Sequence, residues 1–289
     1  MNKIAVIDIG SNSVRLMLLA DGKVLYKILN TTQLGEGLAH SDFLKAEAIE
    51  RTAKAIASFY QQAILEGASC VCAFATAAAR SAKNSVDFTS RVKELCGLEI
   101  EILSGEEEAE IGILGALGSQ DGGIIDIGGA STEIIVREKG QIVYKKSVDI
   151  GVVRLKDMCG REYSKLCESA TNAVGAFGLV PRGQRMLAIG GTATTLAALA
   201  LQLSKYDASK VTGFTMSAEQ VEEISKTLCG MSVEEIMKNP CVPQKRAEVV
   251  AGGAVLLAAI MRHLGFEMVQ VSDSDNLEGY AKLRGYINE

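Results

Sequence analysis

Several things are scarce in this sequence, and each scarcity excludes something. Of 289 residues, 3 are Pro, 2 are His and none is Trp. So little Pro, with no Ser-rich tract, excludes Pro-rich, collagen-like and disordered classes. The two His, at positions 40 and 263, are too few and too scattered for a His metal cage or a Ser-His-Asp triad. Seven Cys, at 70, 72, 96, 159, 167, 229 and 241, include no Cys-x-x-Cys pair. Reduced, mostly buried thiols of a cytoplasmic protein are therefore expected. The net charge is −5 and no basic block occurs, which disfavours nucleic acid but leaves small phosphorylated ligands open. No secretory signal is legible in the short, soon acidic stretch Met1–Asp8, and the one run long enough for a membrane span is better explained otherwise. The longest uncharged run, Met186–Ser204, is interrupted by Gly190-Gly191-Thr192 and reads as strand, turn and helix.

What is present is Gly, 29 residues of it, in a chain that is 48% apolar and 22% charged. That balance supports a full core and about two domains. The Gly excess points to backbone that turns tightly or approaches something closely.

An internal repeat organises the chain. Asp8-Ile9-Gly10-Ser11-Asn12-Ser13 recurs 118 residues later as Asp126-Ile127-Gly128-Gly129-Ala130-Ser131. Without a gap, Gly22 then falls on Gly140, Tyr26 on Tyr144 and Lys27 on Lys145. Each copy reads as three strands joined by tight turns, followed by mixed helices and strands. Strands are expected at Cys70–Ala75, Leu98–Leu103, Met186–Ile189 and Glu267–Val271. Helices are expected near 48–63, 85–95, 104–115, 194–203, 246–264 and 277–286. Ser217-x-x-Gln220 and Ser232-x-x-Glu235 look like capping boxes. The domains are set at 1–120 and 121–289, the last helix, about 277–289, being one that could pack back on the first domain.

The Gly turns suggest chemistry. Gly10 lets the chain turn after a buried strand, so the amides of Ser11, Asn12 and Ser13 can face an anion, with Asp8 placed to hold Mg²⁺ beside it. For one copy alone, an ordinary hairpin with a turn Asp is the competing reading. The second copy, Asp126 to Ser131 with Gly128, Gly129 and Ala130, favours the phosphate reading, with the two loops expected to face each other across a cleft. Gly190-Gly191-Thr192, between a strand and a helix, offers a third phosphate site. Ser104-Gly105-Glu106-Glu107-Glu108 opens a helix in which Ser104 and Glu107 form a capping box and Glu108 need only be solvated.

The ordered set of motifs resembles the exopolyphosphatase/guanosine pentaphosphate phosphatase (Ppx/GppA) family, within the actin–Hsp70–sugar-kinase superfamily. The resemblance is carried by Ile7–Leu16, Leu34–Leu38, Ala75–Arg80, Ser104–Ala109, Asp126–Glu133, Gly151–Leu155 and Gly190–Leu196. It implies an α/β fold of two duplicated ribonuclease H-like (actin-like ATPase) domains, each a mixed five-stranded sheet with flanking helices and a cleft between them. It places the water-activating Glu on Glu108, a second catalytic or metal-binding Glu on Glu133 and a phosphate-binding Arg on Arg80. Asp8 and Asp126 match acidic residues near the metal, expected to be Mg²⁺ or alternatively Mn²⁺. The activity implied is release of orthophosphate from inorganic polyphosphate or guanosine pentaphosphate. Departures are Ala130 for a third Gly, Gln33 for an Arg, and Ser272 to Gly279, which lacks an Arg of the family pattern. An ATP-dependent sugar or acyl kinase, or a non-catalytic polyphosphate or guanosine tetraphosphate sensor, are the alternative readings. A homodimer is the working expectation for assembly.

Overall fold

The first two strands follow from apolar runs that are buried on both faces, and the third, largely exposed, forms the sheet edge. In the computed structural model, which describes residues 2–181 and 185–287, β1 (Lys3–Ile9) pairs antiparallel with β2 (Ser13–Ala20), and β2 with β3 (Lys23–Thr31). Ala5, Ile7, Ile9, Val14, Leu16 and Leu18 enter one core. Their neighbours Val6, Met17 and Leu19 enter another on the opposite face. Central strands covered twice read as near-continuous apolar runs, which is why they were visible in the sequence. Next come α1 (Ala46–Leu65), β4 (Ala68–Ala75), α2 (Ala77–Ser81), α3 (Ser85–Cys96), β5 (Glu101–Ile102) and α4 (Gly105–Leu117). The sheet order is β3-β2-β1-β4-β5, with β4 parallel to both β1 and β5. Ile49, Ala53, Ile56 and Phe59 of α1 and Phe88 and Val92 of α3 fill the first core. The strand expected at Leu98–Leu103 shrinks to two residues, because little of it reaches a ladder partner.

The second unit repeats the device. Its elements are β6 (Gly122–Ile127), β7 (Thr132–Glu138), β8 (Gln141–Val148), α5 (Val152–Cys159), α6 (Tyr163–Val174), β9 (Met186–Ile189) and α7 (Gly190–Ala200). They continue with α8 (Ala208–Val211), β10 (Thr215–Ser217), α9 (Ala218–Gly230), α10 (Val233–Met237), α11 (Val250–Leu264) and β11 (Met268–Val271). The order is β10-β11-β9-β6-β7-β8, so this sheet carries one strand beyond the five expected, the short antiparallel β10 at its edge. Both capping boxes, at Ser217 with Gln220 and Ser232 with Glu235, are formed. Two helix starts differ from expectation. The helix α7 begins at Gly190 itself, and α11 begins at Val250, after a 3₁₀ turn at Gln244–Arg246 that follows Pro243.

The repeat holds at backbone level. Asp21 and Gly22 adopt φ of 48° and 78°, and Lys139 and Gly140 adopt 51° and 75°, the positive pair that a two-residue hairpin turn requires. The register shifts between Leu18 and Leu19 in one copy and between Val136 and Arg137 in the other, the same place in the repeat.

The last helix, α12 (Asn276–Leu283), belongs with the first unit, which comprises Met1–Gly115 and Asn276–Glu289; the second is Ala116–Asp275. Leu277, Tyr280 and Ala281 join Val6, Met17, Phe74 and Ile111 in the second core of unit one. The Tyr280 ring stacks on Phe74 at 4.7 Å, its hydroxyl donates to Glu101 at 2.8 Å, and Lys27 pairs with Glu278 at 2.7 Å. A Cβ on Gly279 would fall on the carbonyl oxygen of Ile111. The helix stops at Leu283, short of the expected 286, and Gly285 (φ +70°) turns the chain. Residues 288–289, which the sequence reading placed in the last domain, lie outside the described residues.

The thiols depart from expectation: only Cys241 is buried, Cys70 is exposed and the other five are half-buried. Among the described residues, no helix is long and apolar enough to cross a membrane.

Candidate active site

Each unit gathers its polar residues at the carboxyl ends of its parallel strands, where α/β sheets characteristically bind ligands. In the first unit these ends belong to β1, β4 and β5. Asp8, the next-to-last residue of β1, lies opposite Arg15 on β2. Asp8 is buried, and Arg15 donates to its Oδ2 through Nε at 3.0 Å and also through Nη2. Beyond Ile9 the chain turns at Gly10, whose amide donates to the Ser13 carbonyl at 3.0 Å. The segment after β3 folds back onto this loop. Thr32 and Gln33 donate to the Asn12 carbonyl at 3.1 and 2.9 Å, and Gly35 to the Ser11 carbonyl at 2.8 Å. The carbonyls are thereby occupied, while among the described residues the amides of Ser11 and Asn12 find no backbone acceptor. The Asn12 side chain donates to Ser13 Oγ at 3.3 Å, and its Oδ1 is buried without a partner.

The ends of β4 and β5 supply the second part of the cluster. Thr76 follows β4, and its amide donates to the Ile9 carbonyl at 3.2 Å. One turn later, on α2, Arg80 donates to the Leu103 carbonyl at 3.0 Å and to Glu108 Oε2 at 2.7 Å. Glu108 comes from the first turn of α4, which Ser104 and Glu107 cap reciprocally at 3.2 and 2.8 Å. The cap consumes Glu107 and leaves Glu108 facing inward, 7% exposed. Burial pushes the Glu108 carboxyl above its ordinary range, with Asp8 adding to the rise and Arg80 and Thr76 opposing it. Sequence pattern alone treated Glu108 as a solvated helix residue; it is a buried carboxylate with a guanidinium on it.

In the second unit the relevant ends belong to β6, β9 and β11. Asp126 lies opposite Glu133 on β7, so the position of Arg15 in the first copy holds a carboxylate in the second. Glu133 is 5% exposed and accepts from Ser147 Oγ at 2.6 Å. The loop closes as before, with the Gly128 amide donating to the Ser131 carbonyl at 3.0 Å. Here the returning chain is the start of α5. Val152 donates to the Gly128 carbonyl at 3.0 Å, and Val153 and Arg154 donate to the Gly129 carbonyl at 2.8 and 3.3 Å. A Cβ on Gly151 would lie 2.5 Å from the Gly129 carbonyl carbon, so the contact admits only Gly. Ala130 and Ser131 are buried in the loop. Gly190 has φ +76°, and a Cβ there would meet Asp126 Oδ1 at 2.7 Å. Thr192 donates to the Ile127 carbonyl at 3.3 Å and packs on Gly253, where a Cβ would come within 2.7 Å of its methyl.

Sequence reasoning missed three groups. Arg15 and Thr76 lie inside motifs already singled out, but only cross-strand register and burial give them partners. Arg246 had no motif: it caps the Gly191 carbonyl at 2.9 Å and donates to Thr195 Oγ1 at 3.0 Å. Near it, burial and the Asp273 carboxylate push the Tyr206 phenol upward.

Among the described residues, no group of three or more His, Cys, Asp or Glu gathers to hold a metal by protein ligands alone. Mg²⁺ does not require such a cage: it keeps several waters and takes one or two carboxylates. In the second unit, the carboxylates opposed at 126 and 133 are donors of that hard-oxygen kind.

Residues 17–281 match the model of the Ppx/GppA phosphatase family. "Exopolyphosphatase 2" of Mycobacterium tuberculosis is 29% identical over 97% of this chain and 98% of its own length. "Guanosine-5'-triphosphate,3'-diphosphate pyrophosphatase" of Photobacterium profundum is 27% identical over 95% of this chain, which spans 58% of that longer protein. The crystal structure of the Ppx/GppA family member of Aquifex aeolicus superposes with a TM-score of 0.78 at 27% identity, covering 100% of this chain and 99% of the other. With the duplicated hairpin-and-sheet architecture and the motifs in order, the chain belongs to the Ppx/GppA phosphatase family.

Proposed function

We propose that the protein is a Mg²⁺-dependent hydrolase that releases terminal orthophosphate from inorganic polyphosphate or guanosine pentaphosphate, acting in the cytoplasm. The observation that carries the reading is the Arg80–Glu108 pair: a buried carboxylate of raised proton affinity, held 2.7 Å from a guanidinium at the carboxyl ends of β4 and β5. Phosphoanhydride hydrolysis needs positioning and charge neutralisation more than covalent help. Glu108 takes a proton from water, whose oxygen bonds to the terminal phosphorus as the bridging P–O bond breaks. Arg80 stabilises the charge on the transferring phosphoryl group, exchanging part of its contact with Glu108 for phosphate oxygens. Phosphate oxygens are held in the first unit by amides of the Gly10–Ser13 loop, and in the second by those of the Gly128–Ser131 loop and the start of α7 at Gly190–Thr192. Asp126 and Glu133 are the residues of the second unit that would hold Mg²⁺, and Asp8 the carboxylate of the first unit suited to it; the ion would supply charge neutralisation to the phosphate chain.

A phosphate-release assay on short polyphosphate, long polyphosphate and guanosine pentaphosphate, with and without Mg²⁺, tests this reading. The expected result is Mg²⁺-dependent orthophosphate from at least one substrate. Phosphate transfer from ATP to a sugar or acyl acceptor, without hydrolysis of these substrates, would overturn it in favour of a kinase. Binding without release would make the protein a sensor.

A further inference from the structure

The guanidiniums around the two Gly loops are mostly committed to internal partners. Arg15 is held by Asp8, Arg80 by Glu108 and the Leu103 carbonyl, and Arg246 by the Gly191 carbonyl and Thr195. Arg154 is different. The residue is half-buried, and its Nε is buried from solvent without an acceptor. It pairs with neither Asp126 nor Glu133, although both belong to the hairpin on which its helix is seated.

Its place in the fold gives this orphan a meaning. Arg154 is the third residue of α5, and the amides of Val152, Val153 and Arg154 itself are bonded to the carbonyls of Gly128 and Gly129. Helical side chains lean toward the N-terminus of their helix, which here is the end fixed to the loop. The same contact occupies the loop carbonyls, and the amides of Gly129 and Ala130 have no backbone acceptor among the described residues. A guanidinium cannot shed its proton, so a buried N–H without an acceptor is a standing cost that an anion relieves. Its planar fork suits two phosphate oxygens at once.

We propose that Arg154 is a phosphate-binding residue of the second unit, one that holds an oligophosphate together with the Gly128–Ser131 loop and positions it without taking part in proton transfer. This inference rests on the phosphoanhydride reading above and adds the residue that supplies substrate affinity in this unit. The motif Gly151–Leu155, which the resemblance marked without assigning a role, then divides its work. Gly151 permits the close contact with the loop, and Arg154 uses it.

The test compares wild type, Arg154→Gln, Arg154→Lys and Arg154→Ala for hydrolysis of short polyphosphate, with inorganic phosphate binding followed by calorimetry on the same proteins. Loss of a charge-assisted bidentate contact should raise KM about tenfold or more in Arg154→Gln, with kcat changed less than about threefold. Phosphate binding should weaken in parallel. Arg154→Lys should recover part of the affinity, and added methylguanidine should restore Arg154→Ala but not Glu108→Gln. Unchanged KM and phosphate affinity in Arg154→Gln would overturn the proposal. So would losses that track a lower Tm and resist methylguanidine, since Arg154 would then be structural. If wild type hydrolyses none of the substrates, the functional reading fails by itself, while the phosphate titration still decides the role of Arg154.

Discussion

The two hairpins share a backbone and differ in charge. Each closes its Gly loop with the same 3.0 Å bond, turns through a pair of positive φ angles and shifts register at the same step. Yet the cross-strand partner of the aspartate is Arg15 in the first copy and Glu133 in the second. The first hairpin neutralises itself. The second sets two carboxylates opposite each other, where like charges repel. Duplication therefore preserved what the backbone needs, and one changed position divided the electrostatic roles.

Four experiments test this contrast. The largest effect is expected from Glu108→Gln, which removes the base of the first unit: kcat should fall about a thousandfold while substrate affinity is largely kept. Steady-state phosphate release with an independent binding titration checks this, and near-wild-type turnover would refute the assignment. Next, Gly151→Ala should cost about 3 kcal/mol, because its Cβ meets loop backbone at 2.5 Å. At the matching position of the first copy, Gln33 already carries a side chain at φ 51°, so Gln33→Gly should change the urea midpoint little. Third, Arg15→Met should destabilise by about 2 kcal/mol by stranding buried Asp8. Glu133→Gln should instead stabilise by about 0.5 kcal/mol in urea melts without divalent cation, while lowering activity. Equal signs for that pair would erase the contrast. Smallest is a pH effect. Only ionised Glu108 can accept a proton, so the acidic limb of kcat/KM should lie above the ordinary glutamate range. In Arg80→Gln the limb should move to still higher pH, because Arg80 is what favours the charged form.

Much of this architecture was legible in the sequence, for physical reasons. The strands β1, β2, β6 and β7 are buried on both faces and wrote themselves as apolar runs, and the capping boxes at Ser217 and Ser232 are local chemistry. The Gly loops showed as a repeat because positive φ and close approach restrict the residues allowed. What stayed hidden depends on distant partners. The edge strand β10 is three residues long and exists only by pairing with β11. Glu108 looked solvated because its partner, Arg80, lies 28 positions away. Arg246 reaches Gly191 across 55 positions from a turn without a motif.

The helix Asn276–Leu283 carries a consequence for the order of events at synthesis. It is translated after the whole second unit, yet it supplies Leu277, Tyr280 and Ala281 to the core that also holds Val6, Met17 and Phe74. Until it emerges, the part of that face that it covers alongside Leu103 and Ile111 lies open, so the half made first is the half completed last. At about 5–20 residues per second, the nascent chain keeps that apolar surface exposed for on the order of ten seconds or more. This interval is a natural point for chaperone engagement.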